Sequence, residues 1–329
     1  MEEKIEKELK WAVLGTGIIA NEMAQALEKM GKNLYAVANR TYGKAVEFAE
    51  KYGVQKVYDK IEDMFTDKET DIIYITTPHN THIKFMIEAL KNGKHVLCEK
   101  SITLNSEELE EAVKIAKEKD LILGEAMTIF NMPLYTELLE IVNSGKLGDV
   151  KMIQVNFGSY KEYDMNNRFF NRNLAGGALL DIGVYAISIT RLFMTSKPDN
   201  VLSQVKYAPT GVDEQVGIIM MNKEQQMSTI ALTLHSKQPK RVVIACEKAY
   251  IEITEYPRAD KAKIVYTETG EVEEITAGMT SNALQYEFQN MEESVKTGIN
   301  KMKLEYTIDV MDIMTKLRKE WGMTYPEEE

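Results

Sequence analysis

A chain of 329 residues with 44% apolar and 28% charged residues is long enough for two cores and too apolar to be disordered. Its formal charge of -11, with 40 basic residues spread among 51 acidic ones, argues against nucleic acid as a partner. No Cys/His spacing resembles a metal site, no apolar run approaches a membrane span, and the charged start, residues 1–10, is not a signal peptide; with Cys98 and Cys246 as the only cysteines, a cytoplasmic protein acting on a small molecule is expected.

In chain order, residues 11–14 form a short apolar run that breaks into Gly15-Thr16-Gly17 and opens an apolar-periodic segment over 18–30. That is strand, tight turn and helix. Gly15 permits the turn, Gly17 lets a ligand approach the backbone, and Ala20 allows close helix–strand packing. The helix start points free N–H groups at the turn, which suits a pyrophosphate. A second strand over 34–38 ends in Asn39-Arg40-Thr41, where an NAD-binding unit places an acid for the ribose 2′-hydroxyl. No acid stands there. Asn39 can donate to phosphate oxygens and Arg40 can pair with a 2′-phosphate, so NADP is expected in preference to NAD. The alternative for Arg40 is a solvated helix-start residue.

Helices follow over 43–52 and 61–65, with a short strand at Val57-Tyr58 between them. The β-branched run 71–76 leads into Thr77-Pro78-His79-Asn80-Thr81-His82. The next helix, with Ile83, Met86, Ile87 and Leu90 on one face, ends at Asn92-Gly93. Residues 95–98 form a strand leading to Glu99-Lys100-Ser101, Ser106 caps a helix reaching Asp120, and 121–124 adds a sixth strand. This alternation predicts a parallel, doubly wound sheet in residues 1–125, with ligands at the carboxyl ends of the strands. The clusters after Leu14, Thr76 and Cys98 all fall there.

Residues 126–329 read differently: helices over 134–142, 178–193, 284–297 and 307–321, and strands over 150–157, 201–207, 215–221, 228–234, 241–245, 250–254, 263–266 and 271–275. They predict an α+β domain on a large, open, mostly antiparallel sheet. Helices on one face leave the other uncovered, and the alternation Thr229-Ile230-Ala231-Leu232-Thr233-Leu234 is expected to put apolar groups there, favouring a homodimer or homotetramer.

Two constellations can carry chemistry. Lys100, at a buried strand end, can move a proton to or from a substrate hydroxyl, with burial and a nearby nicotinamide cation expected to lower its pKa. Glu99 can bond a ribose or hold Lys100; the plain alternative is a structural Glu99–Lys100 pair. Cys98 reads as a core residue. In Gly176-Gly177-Ala178-Leu179-Leu180-Asp181-Ile182-Gly183-Val184-Tyr185, Asp181 and Tyr185 are four apart and share a helix face, and a phenol beside an ammonium can relay a proton. The alternative makes Asp181 a cap and Tyr185 a half-buried aromatic.

The ordered set Gly15-x-Gly17-x-x-Ala20, Thr76-Thr77-Pro78-x-x-x-His82, Glu99-Lys100, Gly145-x-Leu147-Gly148 and Gly177-x-Leu179-x-Asp181-x-Gly183-x-Tyr185 resembles the Gfo/Idh/MocA family of NAD(P)-dependent oxidoreductases. Within it, Asp-Ile-Gly-Val-Tyr is similar to the branch of glucose-fructose oxidoreductase, dimeric dihydrodiol dehydrogenase and xylose dehydrogenase. The resemblance implies a Rossmann domain followed by an open-sheet domain that dimerises, and a sugar, polyol or diol oxidised at a secondary alcohol or reduced at the ketone. It implies catalytic roles for Lys100, Tyr185 and Asp181, with Asp181 also on the substrate. It implies cofactor contacts at Gly15, Thr16, Gly17, Ile18, Ile19, Asn39, Arg40, Thr76, Thr77, Pro78, Asn80, His82, Glu99 and Lys100. His82 by itself reads equally as packing. Two departures stand out: Ser101 replaces the family's proline after Glu-Lys, and Ile129 stands where relatives often carry arginine, which points to a less anionic substrate. Arg168 and Arg172 are the candidates to line the pocket instead, against a plain reading as surface arginines. Other classes compatible with the same motifs are a hydrolase or isomerase that oxidises its sugar transiently with bound NAD, and a non-catalytic dinucleotide sensor.

Overall fold

The computed structural model describes residues 8–329, so the start of the chain that was read as no signal peptide lies largely outside the described residues. The first unit runs β1 (Trp11–Leu14), α1 (Ile18–Lys29), β2 (Ala36–Ala38), α2 (Tyr42–Tyr52), β3 (Lys56–Tyr58), α3 (Ile61–Thr66), β4 (Ile72–Ile75), α4 (His82–Lys91), β5 (His95–Glu99), α5 (Ser106–Glu118) and β6 (Leu123–Ala126). The six strands form one parallel sheet in the order β3-β2-β1-β4-β5-β6. Strands β1, β4 and β6 are buried throughout, as a sheet covered on both faces requires. The chain reverses its direction of sheet growth between β1 and β4, so the loops after these strands open a crevice at their carboxyl ends.

Two local expectations are corrected. Asn105, not Ser106, caps α5: its side chain accepts from the Glu108 N–H, which a serine one residue inside the helix is not placed to do. The sixth strand ends at Ala126 rather than Gly124, because Glu99 pairs in register with Ala126 and Glu125 is anchored by the Ile102 N–H and the Thr307 hydroxyl.

The second unit opens with α6 (Thr128–Asn131) and α7 (Pro133–Asn143), then β7 (Val150–Gly158), α8 (Val184–Phe193), and the strands β8 (Asn200–Tyr207), β9 (Asp213–Met221), β10 (Met227–Thr233), β11 (Gln238–Cys246), β12 (Ala249–Thr254), β13 (Lys261–Tyr266) and β14 (Val272–Thr276). They form an eight-stranded sheet ordered β14-β13-β12-β11-β7-β10-β9-β8, antiparallel except where β7 and β10 run together. Helices α9 (Ala283–Thr297) and α10 (Leu304–Trp321) close the chain. They return to the first sheet: Phe288 and Met291 pack with Trp11 and Tyr74, and Met311 packs under β4 and β5. The fold is therefore a doubly wound parallel sheet followed by an α+β unit on an open sheet, tied together by its last two helices.

Three further readings need revision. The helix over 178–193 is divided, with a π-helical turn at Leu179–Gly183 before α8. The apolar set Ile230, Leu232 and Leu234 points to the helix-covered side and is buried. The uncovered face instead carries Leu202, Ile219, Met152, Met227 and Tyr250, which the strand registers bring to one side of the sheet. Finally, among the described residues one helical stretch, Arg172–Phe193, has the length and apolar character of a membrane span, but most of it is buried inside the fold.

Candidate active site

A cleft of about 500 Å³ lies between the two units. Its floor on the first unit is main chain. Gly15 has φ +110°, and a Cβ there would stand 2.5 Å from the Thr76 Oγ1, which itself donates to the Leu14 carbonyl over 2.9 Å. Only glycine fits this turn. At Gly17 a Cβ would meet nothing within 4 Å, and no side chain caps α1, so the first N–H groups of that helix face open space. Ile18 and Ile19 line the cleft beside Gly17, with Ile18 projecting 83% exposed. Thr16 is half-buried and stands outside the lining.

The loops after β4 and β5 supply the next wall: Thr76, Thr77, Pro78, His79, Glu99 and Lys100. Lys100 is the centre of the arrangement. Its Nζ donates to the Asp181 carbonyl at 2.7 Å and to the Asp181 Oδ1 at 3.2 Å, and stands 4.9 Å from the centroid of the Tyr185 ring. The three residues read as catalytic are thus one contact cluster, although 81 residues separate Lys100 from Asp181. Ser101, in the family's proline position, is buried. Its hydroxyl donates to the Leu180 carbonyl at 2.9 Å, tying the strand end to the π-turn that presents Asp181. The Lys100–Ser101 peptide is cis.

The remaining wall comes from the second unit: Arg168, Leu174 and Tyr185. Arg168 reaches Asp181 with one nitrogen at 3.8 Å. Gly177, at φ +127°, serves packing rather than a ligand, because a Cβ there would collide with the Asp213 carboxylate.

Several residues named from the sequence lie elsewhere. His82 is fully buried, with Nδ1 on the Ser101 carbonyl and Nε2 on the Thr77 carbonyl, so no ring nitrogen is left for a nucleotide. Arg172 turns away to Thr324 and Glu329. Asn80 donates to Glu327. Ile129 is buried in the second core and leaves the pocket's charge to other residues. Asn39 and Arg40 stand at the end of β2, outside the cleft wall; Asn39 donates to the Thr41 carbonyl and Arg40 is exposed.

The amino-terminal part of the chain, residues 9–127, matches the family model described as "Oxidoreductase family, NAD-binding Rossmann fold", and residues 135–252 match the Gfo/Idh/MocA C-terminal domain. The chain belongs to the Gfo/Idh/MocA family of oxidoreductases. Among curated members, trans-1,2-dihydrobenzene-1,2-diol dehydrogenase of Xenopus laevis is 30% identical over 96% of this chain and 99% of its own length, and that of Mus musculus 27% identical over 97% and 99%. Among solved structures, the 3-ketoreductase KijD10 of Actinomadura kijaniata in complex with NADP and TDP-benzene superposes with TM-score 0.82 at 19% identity, covering 94% of this chain and 96% of that one. A levoglucosan dehydrogenase complexed with NADH and levoglucosan gives 0.84 at 16%, covering 96% and 98%. These two share the fold.

The open N–H groups at the start of α1 and the small residues below them fit the dinucleotide of a Gfo/Idh/MocA oxidoreductase. Electrostatics complete the site. Burial pulls Lys100 down, but Asp181, then Tyr185 and Glu99, outweigh it and hold the ammonium above its ordinary value. This reverses the expectation of a lowered lysine. Burial pushes Asp181 up, and Lys100, Arg168, His79 and Lys161 together hold it below its ordinary value. Burial raises Tyr185 against the pull of Lys100, so the phenol is protonated at neutral pH. Burial also raises Glu99, which accepts from the Tyr74 hydroxyl and from the Lys100 N–H.

Three residues of the cleft wall, Glu22, His79 and Leu174, escaped the sequence reading. His79 lines the cleft, and burial with His82 and Lys100 nearby lowers it to about 3. Its Nε2 meets the Lys100 carbonyl at 3.0 Å, and since a carbonyl can only accept, that nitrogen carries the proton. It stood inside the Thr76–His82 run, and only the one-turn helix His79–Thr81 decides which histidine faces in. Glu22 of α1 lines the cleft and is held across the two units by Arg258, 3.1 Å away and itself outside the lining; nothing local in the sequence marks the pair.

Proposed function

We propose that this Gfo/Idh/MocA protein is an NADP-dependent oxidoreductase that interconverts a secondary alcohol and its ketone in a sugar, polyol or diol. The observation that carries the reading is the Lys100 ammonium held between Asp181 and the ring of Tyr185 inside the cleft. A nicotinamide dinucleotide, when bound, accepts or supplies the hydride. The chain's own residues handle the proton. In oxidation Tyr185 takes the substrate hydroxyl proton, and Lys100 stabilises the phenolate while it lasts; in reduction the protonated phenol gives that proton back. Asp181 fixes Lys100 and anchors a neighbouring substrate hydroxyl, and Arg168 flanks it. Gly15, Thr16, Gly17, Ile18, Ile19, Thr76, Thr77, Pro78, Glu99 and Lys100 hold the nucleotide. Asn39 and Arg40 hold a 2′-phosphate, supported by the guanidinium's exposure at the end of β2 where an acid would reject that group.

In this reading residues 1–125 bind the nucleotide and residues 126–329 bind substrate and assemble the oligomer. The apolar groups Leu202, Ile219, Met152, Met227 and Tyr250 on the uncovered sheet face support a homodimer or homotetramer through that face. Both cysteines are unpaired, which suits the reducing cytoplasm.

The test is a fluorescence titration with NADPH and NADH, followed by a screen of sugars, polyols and diols for a change in reduced-nicotinamide absorbance. Preference for NADPH with net turnover supports the reading. Tight binding of NAD without net turnover moves it to transient oxidation, and binding with no chemistry on any substrate moves it to a sensor.

A further inference from the structure

The loop between β7 and α8 forms the outer rim of the cleft, and it carries charge that the proton-transfer cluster does not use. Phe169 is half-buried there, and two cations face its ring: the Lys161 ammonium 4.0 Å from the centroid and the Arg168 guanidinium 4.1 Å from it. Arg168 lines the cleft and reaches Asp181, while Phe169 and Lys161 stand outside that lining, with Lys161 still within electrostatic range of Asp181 and Lys100.

Most of the surrounding charges are already matched, and Glu162, next to Lys161 on the loop, is exposed to solvent. Asp181 is shared by Lys100 and Arg168, and Lys100 also faces Glu99. Lys240 pairs with Glu255 at 2.8 Å, and Arg258 with Glu22. On the rim loop itself, the Asp164 carboxylate accepts from Asn166. Among the described residues Lys161 makes no ion pair, and Arg168 spends one nitrogen on Asp181 at the long distance of 3.8 Å. Two like charges therefore share one aromatic ring, a half-buried ammonium has no counter-ion, and a guanidinium keeps most of its N–H groups free. Burial pulls Lys161 below the ordinary lysine value, and Arg168, Lys100 and Lys240 add to that against Asp181. An anion at the edge of the Phe169 ring, within reach of both side chains, would offset the repulsion and take up the free donors.

We propose that the cleft takes a substrate bearing an anionic group, carboxylate or phosphate, which Lys161 and Arg168 bind at the Phe169 rim while its reacting carbinol reaches Lys100 and Tyr185. The proposal rests on the oxidoreductase reading and narrows it: the polyhydroxy compound is a sugar acid or a phosphorylated sugar rather than a neutral one. It also reverses the inference drawn from Ile129, since the positive charge comes from the rim loop instead.

The experiment uses the full-length enzyme loaded with NADP, whose binding is confirmed first by titration. Failure at that step counts against the oxidoreductase reading alone, and the same sugars titrated into the free protein then decide the subsite. The loaded enzyme is then titrated calorimetrically with glucose, glucuronate and glucose 6-phosphate, which differ only at carbon 6. Both anions, or one of them, are expected to bind at least tenfold tighter than glucose. Lys161→Gln should weaken the anion by about tenfold, the value of one charge-assisted contact, and leave glucose unchanged; Arg168→Gln, at a residue that also contacts Asp181, should weaken the anion by at least tenfold more than it weakens glucose. Preference for glucuronate alone identifies a carboxylate site and preference for the phosphate ester a phosphate site. Equal affinity for neutral and anionic sugars, no saturable binding of either anion, or an anion preference that survives both substitutions overturns the proposal. So does a Lys161→Gln variant whose chief loss is in NADP affinity, because the rim would then hold the nucleotide.

Discussion

The two walls of the cleft recognise their ligands by different means. The first unit offers backbone: the Gly15 turn, the uncapped start of α1 and the threonine at the end of β4. The second offers side chains: Arg168 on an irregular loop and Tyr185 on α8, with Asp181 of the π-turn beside them. A backbone wall is specified by what is absent, since only missing side chains let a nucleotide reach the N–H groups. A side-chain wall is specified by contacts between residues far apart in sequence, of which Lys100 with Asp181 is the central one. The first is general to the cofactor, and the second selects the chemistry.

Substitutions can test that division, the largest effect being expected at Lys100, the side chain of the first unit that meets the second unit's wall. Lys100→Met should lower kcat by about 10²- to 10⁴-fold, the range for a positioned proton-transfer group, while nucleotide affinity stays within a few-fold. Steady-state kinetics beside a nucleotide titration reads both. Gly15→Ala should act on the backbone wall. The strained φ and the clash with Thr76 should cost about 1–3 kcal/mol of stability, seen as a lower Tm, and nucleotide affinity should fall with it. Arg40→Asp should weaken NADPH by about tenfold and leave NADH nearly unchanged, one charge-assisted contact being worth about 1.4 kcal/mol. Equal losses would remove the case for a 2′-phosphate site. Arg172→Ala, at a residue that faces the chain end, should leave kcat/KM unchanged and shift stability by no more than about 0.5 kcal/mol.

pH sharpens the same comparison. Tyr185 is raised above its ordinary value by burial, so the proton donor for reduction is in place at neutral pH and is lost only as pH climbs through that raised value. Oxidation needs the opposite form and should speed up over the same alkaline interval. Nucleotide binding to the backbone wall should follow neither profile.

The difference between the walls also explains what could be read from the sequence. The doubly wound sheet and all eight strands of the open sheet follow from apolar runs punctuated by glycine and proline, which are local signals. Lys100, Asp181 and Tyr185 were recognisable as residues, but neither helical spacing nor motif order shows that an ammonium sits between them. Arg168 and Arg172 are four apart on one loop, and only its folded course sends one to Asp181 and the other to Thr324. His79 and His82 are three apart; the short turn at His79–Thr81 turns the first into the cleft and the second into the core. The sign of the Lys100 shift was misread because burial can be guessed from a strand end, whereas the carboxylate that overrides it arrives from the other unit.

The central claim is that Tyr185, beside Lys100, transfers the proton in a nucleotide-dependent oxidoreduction. Its most direct test is Tyr185→Phe, which removes one oxygen and keeps the ring packed against Phe157. The account predicts that net change in reduced-nicotinamide absorbance falls by about 10²-fold or more while NADPH affinity is preserved. Wild-type turnover in the phenylalanine variant, with its alkaline limb unchanged, would contradict it.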